Sequence, residues 1–172
     1  MDIKQGEYIT LIERIEKEIP VLLKQDDWNT LYIDYELPIV ERAWRQHGEH
    51  RIFLHRIHPC EREQSLWHPH PWPSAVKVIS GEYEMGVGYG EKSPPVAALM
   101  IAKAPFTYEM IDPNGWHYVR PLNGDVLSIM VTGRPFENKL QQATVSKQAL
   151  RSLTEAERNC LLREFSQAHR SP

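Results

Sequence analysis

Between residues 82 and 89 the chain reads Glu-Tyr-Glu-Met-Gly-Val-Gly-Tyr, so Tyr83, Met85, Val87 and Tyr89 alternate with polar or very small residues. Only an extended strand, whose successive side chains point to opposite faces, sorts such a pattern into one apolar and one polar face. Similar alternation or short apolar runs occur at 31–36, 39–46, 51–58, 75–80, 96–102 and 125–131. Turn-forming residues punctuate them: Gly48, Ser80-Gly81, Ser93-Pro94-Pro95, Pro113-Asn114-Gly115 and Asn123-Gly124. Strands this short and this closely spaced leave no room for crossover helices. The pattern predicts an all-β core, a sandwich or barrel over about residues 29–133.

Helical periodicity is confined to the two ends. Tyr8, Ile12, Ile15 and Ile19 keep helical spacing, with Leu11 widening the stripe and Glu13, Glu16 and Lys17 on the polar side. This predicts a helix over about 7–25, ended or kinked by Pro20. A second helical segment is expected over about 145–169, where Thr154 and Glu157 have capping-box spacing ahead of Leu161, Leu162 and Phe165. Both helices are expected to cover a sheet face or to join a dimer interface, which makes a homodimer compatible with the sequence. The 172 residues suffice for one domain with its own core.

Composition removes several function classes. Twenty basic against 23 acidic residues give a net charge of −3, without the basic excess expected of a nucleic-acid module. The longest apolar run, 96–102, is far too short to span a membrane. The first twenty residues carry scattered acids and do not read as a secretory signal, so a cytoplasmic location is expected. Cys60 and Cys160 form no C-x-x-C pair and are read as reduced structural thiols.

The chemistry concentrates in Trp67-His68-Pro69-His70-Pro71-Trp72-Pro73. In an extended chain His68 and His70 point to the same side, with backbones about 6–7 Å apart, close enough to share one metal ion. Pro69, Pro71 and Pro73 lack N–H groups at the opposite parity, which assigns the stretch to a sheet edge or an irregular rim. A third candidate ligand, His117, follows the tight turn Pro113-Asn114-Gly115 at the start of another short strand.

The run His68-x-His70, then Gly81, then Pro113-x-Gly115 and His117 resembles the two motifs of the cupin superfamily, over roughly residues 50 to 131. That resemblance implies a small antiparallel jelly-roll barrel holding a metal on His68, His70 and His117. The glycine that opens the first motif falls on Arg62, the metal-binding glutamate on Ser74, and the closing asparagine of the second motif on Pro121. Within the superfamily, the missing glutamate is similar to the three-histidine thiol dioxygenases, which resemble cysteine dioxygenase. That likeness implies Fe(II), a small thiol acid as substrate, and an arginine on an earlier strand gripping its carboxylate, here Arg42. Their Ser-His-Tyr relay has no counterpart, because Tyr118 and Ser128 follow His117 but the next histidine is His169.

Three neutral imidazoles leave a divalent ion its full charge and open positions, which favours an anionic or chelating substrate. They also accept zinc, nickel, copper or manganese. The leading expectation is therefore an iron-dependent dioxygenase of a small anionic substrate, with no catalytic acid or base identified. The competing expectation is a non-catalytic small-ligand binding or sensing cupin. A metal-free isomerase using a histidine as general base is a third. Other residues have plainer readings. His55 and His58, three apart, point to opposite faces; His47 and His50 flank a hairpin and are expected in solvent. Glu109 is a strand acid that could add a carboxylate, and Trp67, Trp72 and Trp116 either wall a dry pocket or fill the barrel mouth.

Overall fold

The computed structural model describes residues 4–137 and 149–169. Ten strands follow the first helix, α1 (Glu7–Leu22): β1 (Asn29–Ile33), β2 (Val40–His47), β3 (His50–Ile57), β4 (His68–Pro69), β5 (Ser74–Ser80), β6 (Glu82–Tyr89), β7 (Ala98–Lys103), β8 (Phe106–Met110), β9 (Gly115–Pro121) and β10 (Val126–Thr132). The chain closes with α2 (Glu155–Ala168). The strands form a six-stranded sheet in the order β1-β2-β3-β10-β5-β8 and a four-stranded sheet in the order β4-β9-β6-β7, all named pairs being antiparallel. This is the expected all-β, cupin-type jelly roll with a helix at each end. Among the described residues no ladder joins the two sheets into one closed ring.

The six-stranded sheet separates two interiors. On its outer face, Ala43, Ile52, Leu54, Ala75, Ile129 and Val131 form one core with Ile12, Ile15 and Ile19 of α1 and Leu161 and Phe165 of α2. The helices' apolar stripes therefore cover a sheet face, the first of the two roles expected of them. Alternate residues on the inner face, among them Phe53, Val76 and Met130, face the opposing sheet. Neither helix is long and apolar enough to cross a membrane.

Several elements differ from expectation, β1 among them, at 29–33 where 31–36 was expected. Helix α1 passes through Pro20 and ends at Leu22 rather than near 25. The N–H that proline lacks would have served only the last turn, buried Ile19 and Leu22 hold that turn down, and the Leu23 N–H closes it on the Ile19 carbonyl at 2.9 Å. Helix α2 begins at Glu155, capped by Thr154 and Glu157 as expected, but residues 149–154 are not helical. They run beside β1, where the Arg151 carbonyl accepts from the Tyr32 N–H at 2.9 Å and the Leu153 N–H donates to Thr30 Oγ1 at 3.1 Å. The expected stretch 145–148 lies outside the described residues. Strand β8 was anticipated only through the strand role given to Glu109, although Phe106, Tyr108 and Met110 alternate across it.

Candidate metal centre

Proline chemistry shapes the rim that carries the first two histidines. Strand β4 is only two residues long and lies at the edge of the four-stranded sheet, as the missing N–H groups of Pro69, Pro71 and Pro73 require. Their carbonyls remain useful: those of Pro71 and Pro73 each accept a 2.9 Å bond, from the N–H of Phe136 and of Gly133. The β4–β9 register sets His68 directly opposite His117, and His70 returns two residues later on the same side. Ring centroids lie 4.7 Å apart for His68 and His117, 4.3 Å for His70 and His117, and 5.5 Å for His68 and His70. Each ring offers one nitrogen within 4.8 Å of the other two.

The donor set suits a divalent ion. His68 Nδ1 lies 3.0 Å from the Leu66 carbonyl, which can only accept, so the proton is on Nδ1 and the lone pair on Nε2. His70 Nδ1 lies 3.0 Å from Ser74 Oγ, and the tautomer that donates to this hydroxyl likewise turns a bare Nε2 inward. His117 Nε2 stands 3.2 Å from His68 Nε2. Two metal–nitrogen bonds of about 2.1 Å span such a gap at an angle of about 100°, near tetrahedral or octahedral values. His117 Nδ1 is buried with no partner among the described residues.

Electrostatics keep the rings neutral, the form in which imidazole is a ligand. Burial, with the neighbouring His68 and Arg42, pushes His70 down to about 3. Burial lowers His68 too, partly offset by its bond to the Leu66 carbonyl, and carries His117 well below the ordinary histidine range.

The histidines open on a cavity of about 320 Å³ between the sheets, and Arg42 lines it as well. Arg42 Nε donates to His55 Nε2 at 2.9 Å, directly across the β2–β3 ladder, and its guanidinium lies 5.3 Å from the centre of the Phe53 ring. Among the described residues no carboxylate pairs with Arg42. Burial lowers it to about 10, still fully charged at neutral pH. His55 must be neutral to accept this bond, and burial together with the Arg42 charge holds it well below the usual range.

Other candidates go elsewhere. His58 faces away from His55, as parity requires, and bonds Asp125 and Glu41 at 3.0 and 3.1 Å. Glu109 alternates with cavity-lining Tyr108 and therefore points outward, accepting from the Gly6 N–H at 2.6 Å; it is not in the histidine cluster. Of the three tryptophans only Trp72 lines the cavity. Trp67 and Trp116 have the opposite parity to the three histidines; they stack on each other at 6.2 Å and donate to the Pro94 and Gly90 carbonyls. His50 is not simply solvated, since its ring meets Tyr8 edge-on at 6.2 Å, while His47 sits 3.4 Å from Glu18. Both cysteines are free. Three functional candidates escaped the sequence reading: Ser74, behind His70, and the cavity-facing Ser128 and Thr132. Ser74 had a signal in its place at the glutamate position of the cupin motif that the sequence resembles.

No family profile matches the chain, and no curated protein matches it in sequence. Solved structures do match in fold. An Fe(II) form of HppE superimposes with a TM-score of 0.50 at 12% identity, over 62% of this chain and 56% of that one. The hydroxypropylphosphonic acid epoxidase of S. wedmorenis gives 0.48 at 14%, over the same shares. Streptomyces albus HEPD, with 2-hydroxyethylphosphonate and Fe(II) bound, gives 0.44 at 8%, over 56% of this chain and 21% of that one. The match spans little more than half the length of the first two. At this identity the likeness establishes the fold and nothing finer.

Proposed function

We propose that this protein is a metal-dependent enzyme of the three-histidine kind, with His68, His70 and His117 as ligands and Arg42 as the grip for a carboxylate-bearing substrate. The observation that carries this reading is Arg42 itself: a guanidinium in the histidine-lined cavity with no acid partner among the described residues. Arg42 is half-buried, and a guanidinium with no acid partner facing a cavity beside three convergent imidazoles fits an anionic ligand. Iron is the metal we propose first, and the likeness to thiol dioxygenases makes a small thiol acid the first substrate to assay. The two free cysteines fit a reducing, cytoplasmic setting.

A divalent ion with open positions supplies Lewis-acid or redox activation of a bound substrate and of oxygen. The chain's own residues do the rest. Arg42 spends Nε on His55 and keeps both terminal nitrogens for a bidentate carboxylate. Neutral His55 fixes the direction of that fork and is a positioning residue. The Leu66 carbonyl and Ser74 hydroxyl hold two imidazoles with their lone pairs inward. Phe53, Val76 and Met130 keep the cavity floor apolar, which strengthens the electrostatic contacts made there.

Elemental analysis of the parent and of His70→Ala tests this proposal. We expect near-stoichiometric metal after anaerobic iron addition in the parent and none in the variant. Equal metal in both, or none in the parent, refutes the ligand assignment. Oxygen uptake with thiol acids then separates turnover from binding, and a loaded site that consumes no oxygen would favour the sensing or binding cupin.

A further inference from the structure

The inner wall of the six-stranded sheet changes chemistry in bands. At one level Arg42 on β2 lies opposite His55 on β3, which lies opposite Ser128 on β10. Two residues along, Phe53 lies opposite Met130, which lies opposite Val76, followed by Tyr108 on β8. Two residues further, Thr132 lies opposite Ser74, the residue behind His70. A cationic band is thus followed by an apolar band and then by a hydroxyl band on the histidine side.

Ser128 and Thr132 each keep 1% of their surface exposed, and neither hydroxyl oxygen has a partner among the described residues. Both line the cavity. Buried hydroxyls almost always find a partner in protein, water or ligand. Two without one, on the same face of one strand and at opposite ends of an apolar band, fit a molecule that hydrogen-bonds at both ends.

We propose that the cavity takes an elongated carboxylate with an apolar body and a second hydrogen-bonding group, held by Arg42 and Ser128 at one end and by Thr132 at the other. This rests on the reading of Arg42 as an anion grip. Four strand residues separate the hydroxyls by about 13 Å, and two hydrogen bonds of about 2.8 Å leave about 8 Å between the ligand's end atoms. A three-carbon thiol acid can meet Arg42 and Ser128 but does not reach Thr132, so it leaves that second hydroxyl unused. A hydroxyaryl alkanoate fills it and lays its ring on Phe53, Val76 and Met130, where the thioether suits an aromatic face.

Calorimetric titration of the zinc-loaded protein, which cannot turn over by redox chemistry, and of the metal-free protein tests the class. The probes are 3-(4-hydroxyphenyl)propionate, its amide, 3-phenylpropionate, propionate and cysteine. We expect the hydroxyphenyl acid to bind about tenfold or more tightly than its amide, which loses the charge-assisted pair, and than propionate or cysteine, which keep that pair but lose the ring's burial and the second hydrogen bond. Thr132→Val should remove its advantage over 3-phenylpropionate, roughly three- to tenfold, and leave 3-phenylpropionate unchanged. Ser128→Ala should weaken both acids. Neither variant should melt below the parent, since each loses a hydroxyl with no partner in the fold, and a merely structural role would leave the acid preference untouched. Equal affinity for long and short acids, or unaltered preferences in both variants, overturns the proposal. The visible bands of Co(II)-loaded protein report on the histidines separately. Acid preference without cobalt bands sinks the metal reading alone; cobalt bands without acid preference sink this one alone.

Discussion

Ser74→Ala isolates the hydrogen bond behind a candidate ligand. His70 Nδ1 lies 3.0 Å from Ser74 Oγ, and Ser74 has no exposed surface, so no water can replace the lost hydroxyl. In the metal-free protein the variant imidazole can move its proton to Nε2 and face it into the cavity, which costs little. A metal on Nε2 forbids that escape and leaves the Nδ1–H buried without an acceptor. Such an orphaned donor costs about 1–3 kcal/mol, or roughly five- to 150-fold in an equilibrium constant. That range overlaps the roughly 10–100-fold usual when the partner behind a metal-bound histidine is removed. We therefore expect Ser74→Ala to bind Zn(II) or Co(II) at least tenfold more weakly in competition with a chelator. The metal-free variant should melt close to the parent. Parent-like metal affinity would refute the reasoning, and so would an equal loss of stability with and without metal.

Three further outcomes follow from the site's surroundings. A Cβ at Gly86 would overlap the ring of Tyr118, the neighbour of His117. Gly86→Ala should therefore cost about 1–3 kcal/mol in urea denaturation and much less in a Tyr118→Ala background; additive losses would show the ring to be no obstacle. Glu84 accepts from Arg62, Arg120 and Tyr118, and chiefly the Arg62 bonds hold its carboxyl down at about 2 against an ordinary 4.5. The unfolded chain binds the extra proton first, so this stabilisation is complete above pH 4.5 and disappears as pH falls toward about 2. Glu84→Gln should flatten that acid limb of the stability curve, and an unchanged limb would remove Glu84 as its source. The three candidate ligands are lowered as well, His70 to about 3, so metal held by them should survive dialysis at pH 5.5. Release between pH 7 and 6, where ordinary histidines protonate, would contradict the burial argument.

How much of this was readable in the sequence follows from the geometry of a strand. Period-two alternation gave His68 and His70 a common side, and proline parity gave them an edge, because both depend only on local backbone. The Thr154–Glu157 box likewise fixed the start of α2, being complete within four residues. Glu109, Trp67 and Trp116 show how the same rule misleads when closeness along the chain replaces parity. Trp67 and Trp116 each adjoin one of the clustered histidines and for that reason face away from it, whereas Trp72, two residues from His70, shares its cavity. Glu109 is eight residues from His117, but its neighbour Tyr108 takes the inward side. The three glycines at 86, 88 and 90 carried no chemistry of their own: the first two lie beneath Tyr118 and Trp67, a packing visible only once β6 has neighbours. Register was the part out of reach. That Ser128 faces His55 while Thr132 faces Ser74 depends on β10 pairing with both β3 and β5, and β10 is separated from them in sequence by more than forty residues. One chain's alternation says which residues point inward, and the strand order says which of them meet. The charge of Arg42, the lone pair of His70 and the two bare hydroxyls come to face one cavity only through that order.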